Sequence, residues 1–290
     1  MKTFPILLAL VLAVSGRASA QVSVELSQGR EQFLPGEAMP LAVKITNTSG
    51  RQLHFGAEPD WLTFSVESLD GFTVIKNAEV PVMGEFDLES SMQGTKRVDI
   101  GPYFQMTQPG RYKVTARLRI KDLEAETASG PQTFDIITGA KLWEQEFGVP
   151  ATNGVPEMRK FVLEKASYVN SSMRLFVQLS DAAEARIYKT AELGQMTSFS
   201  RPEGQVDRYS VLHVLWQSGA QAFDYCEVDP AGTLIRHEVY DEINNSRPRL
   251  VVNDNGEVLV AGGVRQPKPG EIPPVQAPVG VPATDSATGK

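Results

Sequence analysis

The chain has 290 residues, with 28 basic against 35 acidic side chains and a formal charge of −7 at neutral pH. That balance excludes nucleic acid as an expected partner, because phosphate-backbone binding draws its affinity from clustered Lys and Arg. The single cysteine, Cys226, excludes an internal disulfide, so stability has to come from buried apolar area.

Residues 1–20 open with Lys2, continue through the apolar run PILLALVLAV and end in Ala18-Ser19-Ala20, the pattern of a secretory signal peptide cleaved after Ala20. The run is about ten residues, short of the roughly 20 that cross a bilayer. No later segment is longer or more apolar, so no membrane span is expected in the mature chain. Loss of Lys2 and Arg17 leaves 26 basic against 35 acidic side chains, a charge of −9. The expected location is periplasmic or extracellular. The remaining roughly 270 residues suit two domains.

Within an expected first domain of residues 21–139, residues 39–138 alternate apolar and polar side chains, the mark of strands with one buried face. In YKVTARLRIK, Tyr112, Val114, Ala116, Leu118 and Ile120 point one way, while Lys113, Thr115, Arg117, Arg119 and Lys121 point the other. Leu41, Val43 and Ile45 make a second stripe, and Leu62, Phe64 and Val66 a third. Pro35-Gly36, Asn47 to Gly50, Asp70-Gly71 and Pro109-Gly110 supply turns. Seven or more short strands over about 115 residues predict an antiparallel β-sandwich.

The runs LAVKITNTSGRQLHF, LTFSVESLDGFTV and QPGRYKVTARL, within residues 39–120, resemble the bacterial immunoglobulin-like domains of the intracellular proteinase inhibitor type. Asn47-Thr48-Ser49 matches their N-x-S turn, and Pro109-Gly110-x-Tyr112 their PG-x-Y entry to a late strand. The resemblance implies an immunoglobulin-like sandwich that presents a binding surface. It carries over no inhibitory residue.

Residues 140–265 read as a second all-β domain. A shift of 37 residues sets LFVQLSDAAEARIYK on LHVLWQSGAQAFDYC, with Leu175, Val177, Ala183, Ala185 and Tyr188 falling on Leu212, Val214, Ala220, Ala222 and Tyr225. LVVNDNGEVLVAGG is a looser third copy. The spacing predicts blade-like hairpin repeats forming a meander or small sandwich, since the stretch is too short for a closed propeller.

With turns at Ser218-Gly219-Ala220 and at Asp229-Pro230-Ala231-Gly232, Leu212 is expected opposite Cys226 and Ile235, and Val214 opposite Asp224 and His237. Cys226, Asp224 and His237 then share one face, a thiol, a base and an orienting acid. The same face carries Leu212, Val214, Trp216 and Ile235, so the expected role is core packing, with Cys226 and His237 as diagonal neighbours. His54, His213 and His237 lie in no metal-ligand spacing, and Asn253-Asp254-Asn255-Gly256 lacks the acids of a calcium loop. No nucleophile elbow, P-loop or dinucleotide fingerprint occurs. No cofactor, metal or catalytic residue is therefore expected. Asn47, Asn170 and Asn244 begin N-x-S sequons, relevant only in a glycosylating host.

Two surfaces are candidates for interaction. Lys113, Arg117, Arg119 and Lys121 form a basic ridge on one strand, and Arg201, Glu203, Asp207 and Arg208 lie in a polar loop, residues 198–210, between the repeat copies. Residues 266–290 are Pro-rich and lack the apolar content for a core, so they read as a disordered tail. The expected function is non-enzymatic binding of an unknown protein or polysaccharide outside the cytoplasm. The alternatives are an exported protease inhibitor and a hydrolase-type enzyme with its site in the second domain.

Overall fold

The computed structural model describes residues 21–149, 157–169 and 171–268. Residues 1–20, where a signal peptide is expected, Asn170 and most of the Pro-rich segment lie outside them. The protein is all-β. Its strands are almost wholly antiparallel, and among the described residues the only helical turns are two 3-10 turns, Gly101–Tyr103 and Lys121–Leu123. Among the described residues no helix is long and apolar enough to cross a membrane. The chain divides into two compact units. Among the described residues, one holds residues 21–138 together with Ile187–Thr190; the other holds Gly139–Arg186 and residues 191–268.

In the first unit, Val22–Gln28, Pro40–Asn47 and Gln93–Asp99 pair in that order as one sheet. The second sheet is organised by the long Gly110–Ile120 strand. Leu62–Ser68 runs along one of its edges, and Gln132–Ile136 and Ala125–Ala128 share the other. All three apolar stripes named above are buried, and side chains from both sheets form one core. Each Val, Leu, Ile or Phe among them contributes about 1.5–3 kcal/mol by leaving water. A one-residue slip of the Gly110–Ile120 strand would exchange five of them for charged and hydroxyl groups, so period-2 patterning holds the register.

The entry to this strand has a local cause. Gly110 has φ 153°, and a Cβ there would lie 2.4 Å from the Asp70 carboxylate, which accepts a 2.6 Å hydrogen bond from Arg111 N. Two residues on, the Tyr112 hydroxyl donates to Gln108 O at 2.6 Å, locking the corner.

The second unit contains two up-and-down meanders. Ala140–Val149, Glu157–Ala166, Arg174–Asp181 and residues 191–195 of the Ile187–Gln195 strand form the first. Glu203–Val206, Leu212–Gln217, Ala222–Val228 and Leu234–Asp241 form the second, extended by Val264–Arg265. A separate hairpin joins Arg249–Val252 to Val258–Ala261 around an Asn253–Gly256 turn, in which Asn253 Oδ1 accepts from Asn255 N and Glu257 N.

Residues 198–210 are not one long loop. Glu203–Val206 is an edge strand paired with Leu212–Leu215, and it ends in a tight turn drawn in by Asp207. Its sequence, EGQV, has one apolar residue and so shows no period. Gly204 is required there because Trp143 lies flat on it, with indole carbons 2.8 Å from where a Cβ would stand.

The register of the second meander also differs from the sequence expectation, by two residues. Cys226 lies directly between Val214 and His237, not diagonal to His237, and Asp224 faces Trp216 and Val239. Both turns are longer than three or four residues. Ser218 N and Gly219 N bond to Ala222 O, while Asp229 Oδ1 accepts from Ala231 N and Thr233 N and holds a five-residue loop. Ile235, expected in the core, sits at a bulge after Arg236's pairing with Glu227 and is 54% exposed.

Candidate functional site

The outer face of the Gly110–Ile120 strand carries the basic ridge. Lys113 stands opposite Glu67, and its Nζ is 3.0 Å from the carboxylate. Arg119 pairs with Asp60 at 2.7 Å. Lys121, in the 3-10 turn rather than the strand, pairs with Glu58 at 2.8 Å, and the hydrogen bond to that carboxylate raises its pKa. Such exposed pairs contribute little stability, but they cancel three of the four positive charges.

Arg117 differs: among the described residues it has no ion-pair partner. It stands across from Thr63 on one side and Ala128 on the other, and Ser65 is opposite Thr115. Thr63, Ser65, Thr115 and Arg117 line a groove of about 330 Å³. Lys76 and Glu79, bonded to each other at 2.6 Å, complete its wall. The hydroxyls can donate and accept, and the guanidinium presents a planar fork of donors suited to a carboxylate, sulfate or phosphate. The groove is thus a polar surface with one uncompensated positive charge.

The second group of candidate residues does not converge. Arg201 is exposed, and Glu203 Oε2 accepts from Leu250 N at 2.7 Å. Asp207 Oδ1 accepts from Tyr209 N and Val211 N at 2.8 and 2.9 Å, which shapes the turn. Arg208 lies over the Tyr209 ring and reaches Asn255 O at 3.4 Å. Among the described residues no ion pair joins these four.

On the inner face of the second meander, the Cys226 sulfur is 0% exposed among Leu212, Val214, Trp216 and Val228, and burial pushes its thiol pKa well up. His237 is 45% exposed at the edge, stacked on Trp216, with Nε2 3.3 Å from Asp224 Oδ1. A buried thiol of raised pKa is a poor nucleophile. Native protein at neutral pH is therefore expected to resist a thiol reagent that labels the denatured chain within minutes. Comparable labelling rates in the two states would contradict this burial.

The opposite face carries a network that sequence reading missed. His213 Nδ1 and the Tyr225 hydroxyl are 2.7 Å apart, and that hydroxyl donates to Glu227 Oε1 at 2.8 Å. Arg236 bridges Glu227 and Glu238, both at 2.9 Å, and the Tyr240 hydroxyl donates to Glu238 at 3.0 Å. Asp207 Oδ2 lies 3.4 Å from His213 Nε2. Burial, then the Glu238 bond, pushes the Tyr240 pKa up to about 12, and burial raises Tyr225 further. Both phenols therefore stay neutral and act as hydrogen-bond links. The signal was present as polar residues at alternate positions, Tyr225 and Glu227, then Arg236, Glu238 and Tyr240. Among the described residues, no group of three or more His, Cys, Asp or Glu side chains is placed to hold a metal ion.

No protein-family model matches the chain, and no curated protein matches it. Among solved structures, it is similar to an uncharacterized protein from Listeria monocytogenes EGD-e, crystallised with alpha-D-glucose, beta-D-glucose, magnesium and calcium. The identity is 14% and the TM-score 0.20, over 77% of this chain. The match spans 21% of the length of that protein.

Proposed function

We propose that the chain is an exported, non-enzymatic binding protein whose first unit, an immunoglobulin-like sandwich, holds an anionic polymer or partner on the Arg117 groove. The observation that carries this reading is the selective neutralisation of the ridge. Lys113, Arg119 and Lys121 each have a carboxylate partner, whereas Arg117 has none among the described residues and opens into a hydroxyl-lined groove. Export is supported by the charged start, apolar run and small-residue end of residues 1–20.

The test titrates the mature chain with dextran sulfate and with neutral dextran. Binding to the sulfated polymer alone is expected, weakening as salt rises, and Arg117→Glu is expected to reduce it at least about tenfold, the equivalent of 1.4 kcal/mol. Equal binding of neutral dextran, or an unchanged affinity in Arg117→Glu, would overturn the assignment. Inhibition of a fluorogenic protease panel by micromolar protein would replace it with the inhibitor reading.

A further inference from the structure

The second unit contains a cleft of about 660 Å³, within the roughly 300–1,000 Å³ range of small-ligand sites. One wall is the segment 245–249, which follows a tight turn. Asn244 and Asn245 both take left-handed backbone, φ 52° and 62°, and Ser246 N closes the turn onto Ile243 O at 2.9 Å. The other wall is Ala261-Gly262, and the two walls meet backbone to backbone. A Cβ on Gly262 (φ 79°) would stand 2.5 Å from Arg247 O, and one on Gly263 (φ 65°) would stand 2.5 Å from the buried Pro248 ring. Only glycine allows that approach.

Two arginines line this cleft. Arg247 is held over the Phe223 ring at 5.0 Å, and Arg249 stands opposite Ala261, a neighbour too small to cover it. Among the described residues neither has an ion-pair partner, although the chain carries 35 acidic against 28 basic side chains. The other polar groups are Glu203, fixed by its bond from Leu250 N, the Asn245 amide, and the Ser246 hydroxyl, which accepts from Gly263 N at 3.2 Å and keeps its own proton to donate.

We propose that this cleft binds an acidic saccharide, with the Arg247 and Arg249 guanidiniums on the carboxylate of one uronic acid residue and Glu203, Asn245 and Ser246 on its hydroxyls. This site lies in the second unit and is independent of the Arg117 groove. A guanidinium recognises a carboxylate through two parallel hydrogen bonds. The Glu203 carboxylate in the same wall repels a second anionic group, which disfavours a polyacidic peptide. Among the described residues no aromatic or large aliphatic side chain lines the cleft, so it lacks an anchor for an apolar side chain.

The test is calorimetric titration of the full chain with cellobiouronate, with cellobiose as the neutral control and triglutamate as the peptide rival. Cellobiouronate is expected to saturate one site and cellobiose to give no binding. Arg249→Glu is expected to weaken cellobiouronate at least about tenfold; Arg249 has no partner to lose, so its melting temperature should stay at the native value. Arg247→Ala should weaken binding similarly, while Arg117→Glu should leave it unchanged, separating this site from the first. Failure of cellobiouronate to saturate, equal binding of cellobiose, native affinity in Arg249→Glu, or tighter binding of triglutamate would each overturn the proposal.

Discussion

Trp216→Ala is expected to destabilise the second unit by about 3–5 kcal/mol, the largest single-residue effect anticipated for this protein. The indole is 1% exposed and is the largest fully buried side chain among the described residues. It lies on the face shared with Leu212, Val214, Cys226 and Val228, stacks on His237, and donates from Nε1 to Gln195 O at 2.9 Å. Its removal opens a cavity that rigid strands cannot collapse into, and leaves the Gln195 carbonyl without its donor. Trp216→Phe keeps most of the packing and loses the hydrogen bond, so it should cost less than the alanine change, about 1–3 kcal/mol. Urea unfolding followed by far-ultraviolet circular dichroism measures both. A cost under about 1 kcal/mol for the alanine change would mean that the ring is not enclosed as described.

The faces of the strands were legible in the sequence, whereas their registers and partners were less so. Tyr112, Val114, Ala116, Leu118 and Ile120 are buried as their alternation requires, because side-chain direction is a local property of extended backbone. In the 212–241 meander the expected pairing was two residues out, yet the residues outside the bulge kept their faces, since an even slip preserves parity; Ile235, at the bulge, did not. The slip arose in the turns, where the Asp229 carboxylate and the backbone of Ser218 recruit additional residues that the dipeptide signals did not reveal. Which ridge cation lacks a counter-ion depends on Glu67, Asp60 and Glu58 arriving from elsewhere in the chain, and so is tertiary information. The approach of Glu203 to the Arg249 segment is tertiary information as well.

The polar network supplies what hydrophobic patterning leaves open. Two registers related by a two-residue slip bury the same apolar faces, so burial alone does not choose between them. In the observed register Glu227 stands opposite Arg236, and Tyr225 opposite Glu238. In the slipped one Glu227 would stand opposite Leu234, and the Arg236 bridge between two carboxylates would be lost. Half-buried carboxylates without partners cost free energy, so the charges specify the register that the apolar residues merely permit.

Asn47→Ala is expected to destabilise the first unit by about 2–4 kcal/mol, from the loss of several hydrogen bonds and the stranding of a buried carbonyl. Asn47 is 0% exposed at the end of the Pro40–Asn47 strand. Its Nδ2 donates to Arg51 O and Leu88 O, both at 2.8 Å, and its Oδ1 accepts from Ser49 N at 2.9 Å and from the Ser49 hydroxyl at 2.7 Å. One amide thus closes the turn after its own strand and ties it to the segment around Leu88. With both amide protons engaged, this sequon asparagine is unavailable for glycosylation in the folded state. Asn47→Asp separates hydrogen bonding from packing. A carboxylate of the same shape still accepts from Ser49, but it turns an acceptor toward two carbonyls. At neutral pH it should therefore cost at least as much as alanine. Because burial and the facing carbonyls favour the protonated acid, which can donate, its pKa should rise in the fold. Stability would then be regained as pH falls toward the carboxylate range, the opposite of a salt-bridged acid. Urea titrations of both variants across the acid range test this. An aspartate variant as stable as the native protein at neutral pH would show that the amide donors are not what holds the corner.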